Sequence, residues 1–402
     1  MKPFHILGGA LLLSSIAVSV SANSKEALLT ENFIKNSLAS HPLIMSARSN
    51  VVAIQAEAEA KEQPLYNPEL EIELERTTEN TSIVGLSQSV DWFGKKDVLV
   101  KIGQQSLLKA NAQLIETEFN LQIDLLRQLT KFNYDKKQNE LAGRSKLLME
   151  EFYDIAQTRH KVGEISQVEV DLVELARLTV IMQANEMQAA YIASQQALSY
   201  YITSPVTSWP DIAPTLPAVP VVDDINKLLL QHPKMKKLEA NVQARKAEVQ
   251  LSERQQKSDP NFGIKAGLSD GEDYVGLSFS IPLNIRNSYK SETKAARERV
   301  TEAEIIFDEN IRQSTSAIKS TLTRYQANYQ AWKDWQQAGS SILDRRIDNL
   351  EATWKSGELA TSDYLLQLRE TLNANKMRLK AEYQAWSSWF NWLTLSGTMT
   401  LS

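Results

Sequence analysis

The sequence predicts an α+β protein made mostly of long α-helices, with one structural unit written twice. Three observations predict it: short motifs that recur in order at a nearly constant offset, two long spans without proline, and paired short segments of strict apolar–polar alternation.

The recurrence comes first, because an internal repeat changes the whole reading of a fold. His41-Pro42 returns as His232-Pro233, and Val84-Gly85-Leu86-Ser87 as Val275-Gly276-Leu277-Ser278, both 191 residues later. Asn67-Pro68 corresponds to Asp259-Pro260 at 192, and Gly163-Glu164-Ile165 to Gly357-Glu358-Leu359 at 194. Of the 12 prolines, five lie between Pro205 and Pro220; none occurs from 69 to 204 and none after Pro282. Proline interrupts helices and central strands, so the free spans can hold long helices and the cluster reads as an extended connector. The organisation expected is a signal peptide over 1–22, a first repeat over 23–203, a linker over 204–222, a second repeat over 223–395 and a tail over 396–402.

The N-terminal segment predicts export. Lys2 precedes an apolar run, Ile6 to Val20, and Val20-Ser21-Ala22 places small residues where a signal peptidase cuts. Cleavage after Ala22 moves the formal net charge from -5 to -6. There is no cysteine, which excludes disulfides, thiolate metal sites, cysteine nucleophiles and a lipid-modified cysteine. No later stretch is apolar enough for a transmembrane helix, so membrane crossing would require a closed β-barrel. The mild acidity argues against nucleic acid as a partner.

Within each repeat the order is the same. Helix formers rich in Ala, Glu and Gln fill 43–63 and 234–257. Glu69-Leu70-Glu71-Ile72-Glu73-Leu74-Glu75 then alternates strictly, a strand with one apolar and one charged face. Thr77 to Ser82 is expected as a loop, followed by Val84, Leu86, Val90 and Trp92 alternating with Gly85, Ser87 and Ser89. In the second repeat Phe262, Ile264, Ala266 and Leu268 alternate with small or polar residues, Asp270 to Asp273 make a turn, and Val275, Leu277, Phe279 and Ile281 alternate again. Each repeat thus carries one β-hairpin.

A very long helix follows each hairpin. From about 95 to 159 only Gly103 and Gly143 break the pattern, which at 1.5 Å per residue gives a rod of roughly 95 Å. Two adjacent apolar stripes, Leu114/Leu121/Leu125 and Ile115/Phe119/Leu126/Leu129, suit a helix with a neighbour on each side. The rods end at Val162-Gly163-Glu164-Ile165-Ser166 and Ser356-Gly357-Glu358-Leu359-Ala360-Thr361, where Gly stops one helix and Ser or Thr caps the next. Return helices run to about 203 and 393.

Taken together, Ser40-His41-Pro42-Leu43, Asn67-Pro68-Glu69-Leu70, the run from Val84 to Lys96 ending Trp92-Phe93-Gly94-Lys95-Lys96, and the Gly163 and Gly357 turns resemble the TolC family of outer-membrane efflux proteins, more narrowly its heavy-metal, CzcC-like branch. The resemblance spans nearly all of 28–395. It implies a homotrimer in which each protomer gives four strands to a 12-stranded β-barrel and long helices to an α-helical barrel. It also implies a periplasmic adaptor and an inner-membrane pump of the RND type, with metal cations as cargo and no cofactor.

No catalytic constellation is present, so no enzyme is expected. His41 and His232 occupy equivalent places in separate repeats and read as structural residues at helix starts rather than as a metal pair. Glu69, Glu71, Glu73 and Glu75 would face a barrel lumen if Leu70, Ile72 and Leu74 face lipid, and would favour cations. The resemblance makes the two turns adaptor-docking sites. It also implies an acidic pair after the second turn: Asp363 fills the first place, but Leu366 stands at the second. Glu169 and Asp171 occupy the corresponding region of the first repeat. A periplasmic coiled-coil adaptor or scaffold is the rival reading; it would carry a single hairpin and a lipoyl-like β domain.

Overall fold

The computed structural model describes residues 32–76, 80–202, 209–210, 215–269, 271–338, 346, 349–350 and 352–398. The predicted signal peptide lies outside them. Two repeats follow one another. The first contains α1 (Pro42–Lys61), β1 (Glu69–Arg76), β2 (Asn80–Ser89), α2 (Lys95–Lys161) and α3 (Gln167–Leu198). The second contains α4 (Ile225–Gln231), α5 (Pro233–Gln255), β3 (Asn261–Ser269), β4 (Glu272–Ser280), α6 (Lys290–Ala338) and α7 (Thr361–Ser396). Between Tyr201 and Ile225 the described residues form no helix or strand.

α1 and α5 start alike. His41 and His232 each sit in extended backbone with Pro at the next position, and the ring Nδ1 accepts from the amide two residues on, Leu43 or Lys234. A ring nitrogen thus does what a Ser or Asp oxygen does at most helix starts. The two histidines are helix caps.

α2 runs unbroken for 67 residues, about 100 Å, so Gly103 and Gly143 do not interrupt it. Gly103 has a packing reason: a Cβ there would lie 3.1 Å from the Ala58 backbone, so α1 approaches closely. α2 packs against α1, α3, α5 and α7, and α6 packs against α4, α5 and α7. Of the two predicted stripes, Phe119, Leu121, Leu125, Leu126 and Leu129 are buried and Leu114 is half-buried. Ile115 is 53% exposed and lies outside the core formed within one chain. The main core joins this part of α2 to Ile318 and Tyr325 of α6 and to Trp386, Trp389, Phe390 and Leu393 of α7, which recur at helical spacing on one face.

The four strands form one antiparallel sheet in the order β1-β2-β3-β4. β2 pairs with β3, so the two hairpins are joined edge to edge and the repeats share one sheet. Three boundaries differ from expectation. β2 begins at Asn80, inside the predicted Thr77–Ser82 loop, because Arg76 pairs with Asn80 and the hairpin closes tightly. β4 begins at Glu272, which pairs with Ser269, so Glu272 and Asp273 are strand and Gly271 takes the left-handed turn position at φ 76°. β2 stops at Ser89, so Val90 and Trp92 lie beyond the strand, although the Val90 amide still bonds the Pro260 carbonyl at 2.9 Å.

Candidate functional site: the two ends of a helical rod

The strand register sorts the sheet into two faces. Leu70, Ile72, Leu74, Val84, Leu86, Phe262, Ile264, Leu268, Val275, Leu277 and Phe279 share one face, and all are 44–87% exposed. Glu69, Glu71, Glu73 and Glu75 share the other with Gly85, Ser87, Gly263, Lys265, Gly267, Gly276 and Ser278. Water-soluble monomers rarely expose a contiguous apolar surface of this breadth, whereas a barrel in lipid must. β1 and β4 are open edges with unpaired backbone groups. Among the described residues no helix is long and apolar enough to cross a membrane.

The polar face is not purely acidic. Lys265 Nζ lies 2.8 Å from Glu71 Oε2, so one of the four predicted carboxylates carries its own counter-charge. Sequence reasoning missed this pair, since it depends on β2 and β3 being neighbours.

A buried junction ties sheet to helices. Asp91 accepts from the Lys95 and Lys96 amides at 2.7 and 2.8 Å and so starts α2, with Gly94 left-handed at φ 66°. Arg254 of α5 donates to the Gly94 carbonyl. The Lys95 ammonium reaches Asp259 of the second repeat at 2.9 Å, and the Tyr66 hydroxyl donates to the same oxygen at 2.6 Å. Burial, and then the Asp259 carboxylate, push the Tyr66 hydroxyl up to about 12, which keeps it the donor. The Gly-Lys-Lys run therefore has a mechanical role that its sequence did not disclose.

At the far end the two turns have the same backbone. Gly163 and Gly357 sit at φ 81° and 77°. The Gly163 amide bonds the His160 carbonyl and the Glu164 amide that of Arg159; Gly357 and Glu358 bond Trp354 and Thr353 likewise. Both are Schellman closures, which satisfy the last carbonyls of a helix. Val162, Glu164, Ser166, Ser356, Glu358 and Ala360 are exposed, while Ile165 and Leu359 are half-buried against a second core of Phe152, Trp354, Tyr364 and Leu368. Arg159 crosses between the turns, with its guanidinium over the Trp354 ring at 4.6 Å.

The helix starts after the turns differ. Ser166 caps α3 in a reciprocal capping box with Glu169. α7 is preceded by Ala360, with no side-chain cap, so Thr361 is not the cap that its position predicted. Thr361 is buried, with its hydroxyl near the Glu169 carboxylate. The Ser166 amide first, then the Ser166 and Thr361 hydroxyls, hold the Glu169 carboxyl below the usual carboxylate range. The first turns of α3 and α7 are thus neighbours. Asp171 is tied only within its own helix, through Gln167 at 2.8 Å. Leu366 lines a cleft of about 440 Å³ between α2, α3 and α7, together with Met149, Leu172, Ala176, Leu365 and Arg369.

No protein-family model and no curated protein matches the chain. Solved structures do. The outer-membrane channel OprN superposes with a TM-score of 0.78 at 13% identity, over 96% of this chain and 97% of that one. The chain has the fold of an outer-membrane channel protomer. The CmeC outer membrane channel of Campylobacter jejuni gives 0.76 at 13%, over 97% and 90%. CusC, whose crystal structures concern folding and transmembrane channel formation, gives 0.76 at 13%, over 92% of both chains. These neighbours are channels, not enzymes. Among the described residues no cluster of His, Asp or Glu could hold a metal ion.

Proposed function

We propose that this chain is the protomer of a trimeric outer-membrane efflux channel, a passive duct from periplasm to exterior. The observation that carries the reading is the four-stranded sheet with an exposed apolar face and two open edges, set on long helices of which α2 reaches about 100 Å. Four strands cannot close alone, and small closed barrels have eight or more. Three copies, joined β4 to β1, give 12 strands and remove every open edge. Strands of 8–10 residues suffice to cross a bilayer when tilted. Exposed Trp92, just below β2, occupies the place of an interfacial aromatic girdle.

In this reading residues 1–22 are a cleaved signal peptide, and the protein sits in the outer membrane with a periplasmic extension. The turns at Val162–Ser166 and Ser356–Thr361 dock a periplasmic adaptor, and an inner-membrane pump of the RND type supplies the energy. Glu169 and Asp363 stand at the narrow periplasmic end; Asp171 is the weakest of the three acids, since no described contact brings it to them. Metal cations are the proposed cargo, favoured by the carboxylates of β1. A periplasmic scaffold would not need an apolar sheet face, and two hairpins in one sheet argue against it.

Membrane fractionation and electrophoresis with and without heating test this. A heat-modifiable trimer in the outer membrane is the expected result; a soluble periplasmic monomer would overturn it. For the cargo, cells lacking the protein should lose tolerance to transition-metal cations; unchanged tolerance would remove the metal assignment and leave the duct.

A further inference from the structure

One rung of the sheet has an unusual composition. Glu71 on β1 pairs with Gly85 on β2, Gly85 with Lys265 on β3, and Lys265 with Gly276 on β4. Neighbouring strands lie about 4.8 Å apart, so Glu71 and Lys265 are separated by roughly 10 Å of backbone. Their side chains nonetheless meet at 2.8 Å, because the strand between them has no side chain at that rung. A Cβ at Gly85 would lie 3.0 Å from Lys265 Cγ and 3.5 Å from Glu71 Cβ. Gly85 is therefore the groove through which the lysine reaches its partner.

The rest of this face is one-signed. Its described acids are Glu69, Glu71, Glu73 and Glu75 on β1 and Glu272 on β4, and Lys265 is its one described base. At the hairpin end Glu75 and Glu272 share a rung with Thr81 and Ser269, with no base among them. The Glu71 rung is thus neutral, whereas the rungs of Glu69, Glu73 and Glu75 are not.

Resting on the channel reading above, we propose that Lys265, pinned to Glu71 across Gly85, is the residue that sets the charge selectivity of the barrel lumen. The ammonium cancels the Glu71 carboxylate, so ions from the hairpin end meet the acidic rungs of Glu75 and Glu73, then a compensated rung, then that of Glu69. The count of carboxylates alone does not decide the preference. A lumen charge acts strongly because the low-dielectric wall focuses its field.

Reversal potentials of the purified full-length protein in planar bilayers, across a potassium chloride gradient, test the proposal. K265Q leaves Glu71 unopposed and should raise the cation-to-anion permeability ratio several-fold. E71Q frees the ammonium and should lower the ratio several-fold. The double variant E71Q/K265Q should return it to the wild-type value. If either single variant fails to insert, the swapped pair E71K/K265E keeps the rung neutral and should conduct with the wild-type ratio; a shifted ratio there overturns the proposal. Conducting pores whose ratio is unmoved by both single substitutions overturn it as well. Wild-type protein that forms no pore would instead sink the channel reading.

Discussion

Arg159, in the last turn of α2, donates to the carbonyls of Trp354 at 3.2 Å and Lys355 at 3.0 Å, the last residues before the second turn. A residue of one repeat thus caps the terminal carbonyls of the other, where a cation also meets the negative end of the helix dipole. The two tips are fastened together before any partner reaches them.

Removing that fastening should loosen the tip without unfolding the rod. Arg159→Ala is expected to cost about 1.5–3 kcal/mol, the worth of hydrogen bonds to a charged group. Arg159→Lys should recover only part: one nitrogen of Arg159 makes both carbonyl bonds, which an ammonium can also do, but an ammonium cannot lie flat on Trp354. Hydrogen exchange at residues 159–166 and 352–360 reads the effect: faster exchange confined to the two turns is expected, and unchanged exchange would deny the cap.

The turn glycines should tolerate volume but not a change of backbone. Nothing lies within 4 Å of a Cβ at Gly163 or Gly357, so Ala creates no clash there. The cost is the left-handed conformation alone, about 1–2 kcal/mol at each site. Asn should cost less than Ala at both, because it enters that region more readily. Thermal denaturation of the four single variants checks the ranking; Ala equal to Gly would contradict it.

The Lys95–Asp259 pair should behave as a buried ion pair. Both side chains are almost wholly enclosed, at 11% and 3% exposure. Removing either partner leaves a buried charge and should cost about 3–5 kcal/mol, whereas removing both with apolar residues should restore much of it. The comparison is the denaturation midpoint of K95M, D259L and the double variant. Additive losses would show that the two act separately.

His232 should make stability fall on the acid side. Its Nε2 meets the Thr394 carbonyl at 3.0 Å, which can only accept, and its Nδ1 accepts from the Lys234 amide. The Nδ1 bond needs the neutral ring, with its proton on Nε2. Burial, against the weaker pull of the Thr394 carbonyl and Glu116, holds its pKa below 6.5. A group whose folded pKa is depressed contributes stability that is present above the unfolded value and lost as pH drops. The loss should therefore begin near pH 6.5 and grow below it. His232→Asn retains a capping side chain and removes the titration, so its stability curve should be flatter between pH 7 and 5; an identical slope would rule the histidine out.

Most of the architecture was legible from periodicity. The 191-residue offset placed the hairpins, and the proline-free spans placed α2 and α6, because a strand alternates every two residues and a rod tolerates no proline. Contacts between repeats were not legible. Arg159 on Trp354 and Lys95 on Asp259 each join residues far apart in sequence, and nothing in local spacing reports them. Lys265 was passed over for the same reason: as one lysine in an alternating strand it gains meaning only when β3 lies beside β2 with Gly85 between. Leu366, by contrast, could be read from sequence as a departure, and the structure lines an apolar cleft with it.

The central claim is that three copies close their sheets into one lipid-spanning barrel. Single-channel recording of the purified, detergent-extracted protein, with its mass in detergent measured in parallel, tests this most directly. The account predicts a trimer that inserts and conducts. A monodisperse monomer that remains soluble without detergent and never conducts would contradict it.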